Sequence, residues 1–433
     1  MRYKVLNNKV FINAQWMIAG RMVQMVLSLV VGMISTRYLG PSNYGLVSYG
    51  QALTNFFMSI CTLGINSVII KEFVDKPNEI GRSLGSSLFL RCISSVMALC
   101  LVCGISSLLN PRELQTNLVV FLCAISLLFH PFDTIKYWFQ YKYLSKVTAL
   151  ITFLAYLITS IYKIILLILG KDVYWFALAT AMDYACLAVF LIIAYRKHEG
   201  QKFEISIARG REILGRSYHY ILSGMMVAIY SQTDKLMLKH LLGKESVGYY
   251  TTAVTICGMW TFVLTAIIDA MYPAILESFS KNKKEFDKKN RQLYMIVFYI
   301  SMFASILFLI FGKMIVKLLY GEAYMPAVAP LKVITWYTTF SYFGVARGAW
   351  MVSYNYQKYL KYMYIGAAII NALVNVVLIP KFGAVGAAAA SLLTQIFTSV
   401  FLPMCIKDLR PNVKLMWEAI MLKDFREKKK ENK

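Results

Sequence analysis

The sequence predicts an all-α polytopic membrane protein of about 12 transmembrane helices, in two six-helix bundles related by a pseudo-two-fold axis along the membrane normal. Three observations carry this. The 433 residues are 58% hydrophobic and only 16% charged, whereas soluble domains run to roughly a quarter charged. Apolar runs long enough to cross a hydrocarbon core, which takes about 20 residues, recur along nearly the whole chain. Between them the lysines and arginines sit in short gaps, and alternate gaps are rich and poor in them.

Taken in order, the runs fall near 10–35, 43–66, 83–108, 114–133, 147–169, 173–195, 218–238, 247–276, 292–311, 325–350, 361–379 and 384–406. The first begins at Val10 and has no small-residue cleavage pattern, so it reads as a span and not as a signal peptide. Runs of this length satisfy their backbone polar groups only as helices, and they lack the ten-residue alternation of barrel strands. One set of connections, with both tails, carries 32 Lys and Arg; the other carries eight: Arg37, Arg112, Lys171, Lys239, Lys244, Lys313, Lys317 and Lys381. The rich side is cytoplasmic by the positive-inside rule, so both termini face the cytoplasm and the number of spans is even.

The chain also repeats. Leu39-Gly40 followed by Gly45 matches Leu242-Gly243 followed by Gly248, and Ile168-Leu169-Gly170-Lys171 leading to Ala177 and Ala179 resembles Ile379-Pro380-Lys381-Phe382 leading to Ala388 and Ala390. The expected organisation is a bundle over 1–195, a basic cytoplasmic linker over 196–217, a second bundle over 218–406, and a basic amphipathic tail over 407–433. In that tail Val413, Trp417, Ile420 and Met421 share a helical face, which suits a helix lying on anionic lipid.

A net charge of +24 would suit nucleic acid if the cations formed one stripe, but they are dispersed among the loops, so no nucleic-acid partner is expected. The eight cysteines lie in or beside apolar runs and read as small hydrophobes; Cys100 and Cys103 form a CxxC without a second pair. The four histidines show no metal-ligand spacing, and no catalytic cluster or cofactor motif stands out, so neither an enzyme nor a cofactor is expected.

The informative residues are ionisable groups inside spans, each costing about 2.5–3.5 kcal/mol at the bilayer centre unless paired or wet. Six are basic (Arg21, Arg91, Lys163, Lys235, Lys332, Arg347) and three acidic (Asp183, Asp234, Asp269). Arg21 and Asp183 lie roughly 15 Å along their spans, near the midplane; Lys332 is close enough to a span end to reach headgroups. Ion pairing between helices is an open reading for the three acids, which are also candidate ion-coupling or proton sites. Three acids cannot neutralise six bases. Arg21, Arg91, Lys163, Lys235 and Arg347 are therefore candidate lumen contacts, and a cationic cavity suits a phosphate-bearing substrate rather than a cationic drug. Outward movement of an anion would draw on an inside-negative potential by roughly 2.3 kcal/mol per charge per 100 mV.

Thr36-Arg37-Tyr38-Leu39-Gly40-Pro41 with Tyr44-Gly45, then Trp138-Phe139-Gln140, Asp234-Lys235 with Leu242-Gly243, and Asn371 and Asn375 before Ile379-Pro380-Lys381-Phe382-Gly383-Ala384-Val385-Gly386 follow one another in an order and spacing that resembles the bacterial oligosaccharide and polysaccharide flippases. These are the O-antigen and capsule repeat-unit flippases of the multidrug/oligosaccharidyl-lipid/polysaccharide exporter superfamily. The resemblance implies a two-lobed fold in the inner membrane that moves an undecaprenyl-diphosphate-linked oligosaccharide from the cytoplasmic to the outer leaflet by alternating access. The resemblance implies a cationic lumen as well; coupling to membrane potential, H+ or Na+ is the expectation from the charges, and the polymerase and glycosyltransferases of the same glycan pathway are the expected partners. Tyr141 stands where the family usually has glycine. The lipid II flippase has two further helices beyond the 12 counted here. An ion-coupled multidrug antiporter, which would want a carboxylate in the first helices where Arg21 stands, and a non-transporting scaffold are the competing readings.

Overall fold

The computed structural model describes the backbone of residues 2–423 and the side chains of 27–423. It is 91% helical, without strands among the described residues. Contacts divide the chain into two compact units, Met1–Gln232 and Thr233–Lys433.

The first unit begins with α1 (Arg2–Thr62), which is two spans joined at Gly40. There φ is 70° and ψ 169°, a conformation that L side chains rarely adopt, and Pro41 opens the next helix where an amide hydrogen is not needed. A short helix, α2 (Ile69–Asp75), leads into α3 (Ile80–Leu109). The fourth span is segmented into α4 (Leu114–Ala124), α5 (Ser126–Phe129), a 3₁₀ turn His130–Thr134 and α6 (Ile135–Tyr141), with Pro131 removing a ladder donor at the break. The spans α7 (Ser145–Ile168) and α8 (Val173–Lys197) follow. The seventh-span helix, α9 (Ile207–Leu242), crosses from the first unit into the second.

In the second unit the eighth predicted run is two helices, α10 (Lys244–Gly258) and α11 (Thr261–Lys281), separated by a turn at Met259-Trp260 that the apolar pattern does not announce. After α12 (Lys283–Tyr320) and α13 (Val328–Ser353) comes α14 (Leu360–Ile396), again two spans, joined at Gly383 with φ 58°. A π turn over Phe397–Phe401, then α15 (Leu402–Cys405) and α16 (Arg410–Ile420), complete it.

The repeat is visible in the backbone. Gly243, between α9 and α10, has φ 89° and ψ 174°, close to Gly40 in the matching position. The second pair of corners also converges within each unit. Tyr38 Oη donates to the Lys171 carbonyl at 3.3 Å, and a methyl of Leu242 lies 3.4 Å from where a Cβ on Gly383 would stand.

Each unit has its own core, with Phe73, Ile135, Phe139 and Leu191 in the first and Phe286, Tyr294, Phe343 and Trp350 in the second. Large apolar side chains also cover the outside: Val96, Ile193, Phe303, Ile310 and Val376 are all more than half exposed. A surface this apolar is stable against lipid and not against water.

Residues 201–206 run as a strap along the start of α3. Gln201 Oε1 accepts from the Gly81 amide at 2.7 Å, the Glu204 amide donates to Gly81 at 3.2 Å, and Ser86 and Ser206 exchange two bonds. Beyond the strap, buried Glu72 on α2 pairs with Arg209 and Arg216, and Glu212 joins Arg209, Arg216 and Lys76. The linker thus packs as part of the first unit.

Candidate transport site

The charged residues singled out from the sequence divide into three kinds of environment. Arg21 lies outside the residues whose side chains are described. Lys332 and Asp269 are exposed. The others are half-buried or sealed.

Arg91, on α3, is sealed at 0% exposure. Its Nη1 donates to Asn66 Oδ1 at 3.0 Å and to Thr134 Oγ1 at 2.5 Å, and its Nη2 faces His130 Nδ1 at 2.9 Å and the His130 carbonyl at 3.3 Å. Its Nε has no partner. The acceptors come from two irregular stretches, the 3₁₀ turn His130–Thr134 at the Pro131 break and the short turn Ile65–Ser67 after α1.

Arg347, on α13, is equally sealed. Nε donates to Asn412 Oδ1 at 2.9 Å, and Nη2 donates to the Ser399 carbonyl and lies 3.4 Å from Met416 Sδ. The π turn at Phe397–Phe401 supplies that carbonyl, since widening the helix disturbs its own ladder there. Asn412 Nδ2 in turn donates to Tyr294 Oη at 2.7 Å. This chain of bonds docks α16: Val413, Met416 and Ala419 face the unit interior, while Trp417 and Met421 stay exposed. The apolar face expected to lie on lipid is therefore divided between protein and surroundings.

Neither arginine has a carboxylate within ion-pair distance among the described residues. Burying a guanidinium among neutral acceptors leaves its positive charge in the interior, where water screens it little. Lys163 on α7 and Asp183 on α8 are half-buried in the same unit. Thr159 Oγ1 reaches Asp183 Oδ1 at 3.4 Å, and Gln51 donates to Thr180 Oγ1 at 3.0 Å one turn before Asp183. This is a polar strip through an otherwise apolar unit.

The densest cluster surrounds Asp234 on α9, 2% exposed. Asn371 Nδ2 and Asn375 Nδ2 donate to Oδ1 at 3.1 and 2.5 Å. Tyr250 Oη donates to Oδ2 at 2.5 Å, and Ser391 Oγ donates to the same oxygen. Four donors from α10 and both halves of α14 thus converge on one carboxylate. Asn375 Oδ1 is buried with no hydrogen-bond partner, an acceptor left over beside it. Lys235, next along α9, is half-buried, because neighbouring residues of a helix point about 100° apart.

Sequence reading located the acid but not its partners. Asn371 and Asn375 stand at i, i+4 in an apolar run, which places two amides on one helix face. Nothing in the sequence separates Tyr250 from the chain's other tyrosines, or Ser391 from any small packing residue. His130, Thr134 and Asn66 around Arg91, and Asn412 and Tyr294 near Arg347, were likewise missed because they are neutral and distant in sequence. No group of three or more His, Cys, Asp or Glu suited to a metal ion occurs among the described residues.

Known proteins place this architecture. A family described as polysaccharide biosynthesis protein matches residues 10–279. The Staphylococcus aureus capsular polysaccharide biosynthesis protein CapF is 22% identical over 397 residues, covering 88% of this chain and 96% of its own length. A putative O-antigen transporter of Escherichia coli K12 is 22% identical over 383 residues, covering 86% and 90%. Among solved structures, the lipid II flippase MurJ in an inward closed conformation superposes with a TM-score of 0.73 at 13% identity, covering 93% of this chain and 90% of that one. The backbone likeness, the apolar exterior and a family match over more than half the residues agree: this chain is a polytopic membrane protein of the polysaccharide biosynthesis protein family.

Proposed function

We propose that this protein flips undecaprenyl-diphosphate-linked oligosaccharide repeat units from the cytoplasmic to the outer leaflet of a bacterial inner membrane, by alternating access, during the assembly of a surface polysaccharide. The observation that carries the proposal is the uncompensated positive charge of the interior. Arg91 and Arg347 are held by neutral acceptors alone, and together with half-buried Lys163 and Lys235 they outnumber the two carboxylates, Asp183 and Asp234, withdrawn into the units. An interior of that sign attracts a diphosphate and repels organic cations, which sets it against multidrug-cation export. Family membership supports a role in polysaccharide assembly, and the MurJ-like fold suits a transporter rather than an enzyme.

Within this reading the basic residues take two roles. Lys163, Lys235 and Arg21 are the substrate contacts, because a half-buried lysine can turn to a diphosphate that enters. Arg91 and Arg347 supply a fixed positive field while bracing their units. Asp234 is the coupling group. Its two oxygens, the orphan oxygen of Asn375 and the hydroxyls of Tyr250 and Ser391 gather five oxygens at one point, a donor set suited to H+, or to Na+ once the hydroxyl hydrogens turn away. Asp183 is a second acid able to exchange a proton, and exposed Asp269 has no packing role that would prevent the same. Membrane potential adds to the drive, since the substrate is an anion. The polymerase and glycosyltransferases of the same glycan pathway are the expected functional partners.

Depleting the protein in its host and assigning lipid-linked glycan to each leaflet tests the proposal. Accumulation on the cytoplasmic leaflet is expected; an unchanged distribution would exclude flipping.

A further inference from the structure

We infer that the first unit carries a sugar-binding subsite at its sparsely charged end, which is the outer face if the flippase reading above, on which this inference rests, is right. A cavity of about 510 Å³ opens there, lined by Tyr38, Asn43, Gln115, Lys171, Asp172 and Tyr174. That volume falls within the roughly 300–1,000 Å³ of small-molecule sites. It lies where the two repeat motifs of the first half meet: Tyr38 and Asn43 flank the Gly40 turn, and Lys171 and Asp172 form the α7–α8 corner.

The lining chemistry points to a polyhydroxylated ring. One ammonium and one carboxylate leave the site near neutrality, so it does not suit a diphosphate. Two planar amides and the carboxylate each offer paired hydrogen-bonding atoms to neighbouring hydroxyls. The tyrosines offer apolar ring faces with a polar tip. Tyr38 is held by its bond to the Lys171 carbonyl and by ring contact with Phe176 at 5.7 Å, so its ring is fixed in place while 44% exposed. Among the described residues neither the Asn43 amide nor the Asp172 carboxylate hydrogen-bonds to another side chain, and Asp172 does not cap α8. Both are free to bind.

The second half provides an internal control. Its corner has the same glycine turn, so the fold alone does not demand the polar lining. Leu241 stands in the position of Tyr38, Ser246 in that of Asn43, and the stretch Phe382-Gly383-Ala384-Val385 in that of the Lys171–Tyr174 corner. Leu241 and Phe382 are exposed, as Tyr38 is, yet they are apolar. The second corner keeps charged residues about its turn, Lys244, Glu245 and Lys381, but has Leu241 where the first has Tyr38, and Ala384 and Val385 where the first has the Val173-Tyr174 pair, so a tyrosine set beside an amide and a carboxylate occurs at one of two equivalent corners, and we assign it to the sugar end of the repeat unit as it is delivered.

The test uses the full chain in nanodiscs, with the oligosaccharide released by mild acid from the host's own lipid-linked pool as probe and saturation-transfer NMR as readout. Transfer to the sugar ring protons is expected, at least tenfold weaker in Tyr38→Ala and Asp172→Ala and unchanged in Leu241→Ala. Tyr38→Phe, which keeps the ring, should retain most of it. Absence of transfer with the unaltered chain, equal binding by Tyr38→Ala and Asp172→Ala, or binding of the finished polymer in place of the repeat unit would overturn the assignment. Leaflet analysis of the same strains separates the two ideas, because glycan that crosses normally without the protein refutes flipping whatever the NMR shows.

Discussion

Replacing Asp234 separates the part its carboxylate plays in the fold from the coupling role proposed for it. Asp234→Ala leaves four buried donors, on Tyr250, Ser391, Asn371 and Asn375, without their acceptor. Each unsatisfied buried donor costs about 1–3 kcal/mol, and Tyr250 and Ser391, 3.1 Å apart, can rescue each other in part. The net loss is about 4 kcal/mol, or a fall in Tm on the order of 10 °C for a unit of this size. Asp234→Asn behaves differently. Its remaining oxygen keeps both asparagine donors, its new amide donates to the two hydroxyls, and removing a buried charge offsets the lost charge assistance, so stability stays within about 2 kcal/mol of the original. Coupling should nevertheless be lost, because a neutral amide takes up no proton and offers a cation one dipolar oxygen in place of a charged carboxylate. Tryptophan-fluorescence melting in detergent, with leaflet-resolved transport on the same samples, measures both effects. An unchanged Tm for Asp234→Ala would contradict the converging donors, and full transport by Asp234→Asn would leave the carboxylate without a coupling role.

Asn412→Ala removes the link between Arg347 and Tyr294, which should cost about 2 kcal/mol and expose the connection before α16 to protease; a wild-type melting curve and digestion pattern would refute the docking role. Gly81→Ala would set its Cβ 2.2 Å from the Lys202 carbonyl, so the strap must lift, with amide exchange rising over residues 201–206 and little change elsewhere. The linker should also respond to acid. Hydrogen bonds from Arg209 and then Lys76 hold the Glu212 carboxyl below its ordinary 4.5. Its folded-state value is depressed, so its contribution is present above pH 4.5 and is lost as the pH falls through the lower folded-state value. Exchange across 207–216, corrected for intrinsic rate, should therefore accelerate below pH 4.5 and become insensitive to that step in Glu212→Gln.

The fold was legible because lipid imposes one simple demand, an apolar run about 20 residues long, and the repeat was legible because Gly40 and Gly243 are each needed for the same backbone turn. The break at Met259-Trp260 was not, since no proline or polar cluster marks it. Buried charge was legible as charge: Arg91, Arg347 and Asp234 stand out in any apolar run. Their surroundings were not, because the groups satisfying them are neutral and come from elsewhere in the chain. Arg347 depends on a backbone carbonyl at a π turn and on Asn412, 65 residues away. Arg91 and Arg347 consequently read as lumen contacts in sequence, while the structure shows each guanidinium enclosed by protein. The corner around Tyr38 was legible as a repeat and became a binding surface only when the α7–α8 turn was placed beside it.

The central claim is best tested with purified protein in liposomes loaded with the undecaprenyl-diphosphate-linked oligosaccharide. An inside-negative potential is imposed, and the glycan exposed to a membrane-impermeant cleaving enzyme is followed in time. The account predicts a cleavable fraction that rises above that of protein-free liposomes, faster with the potential than without it, and not at all for Lys163→Ala/Lys235→Ala. A fraction that stays at the protein-free level, with the protein folded and correctly inserted, would contradict it.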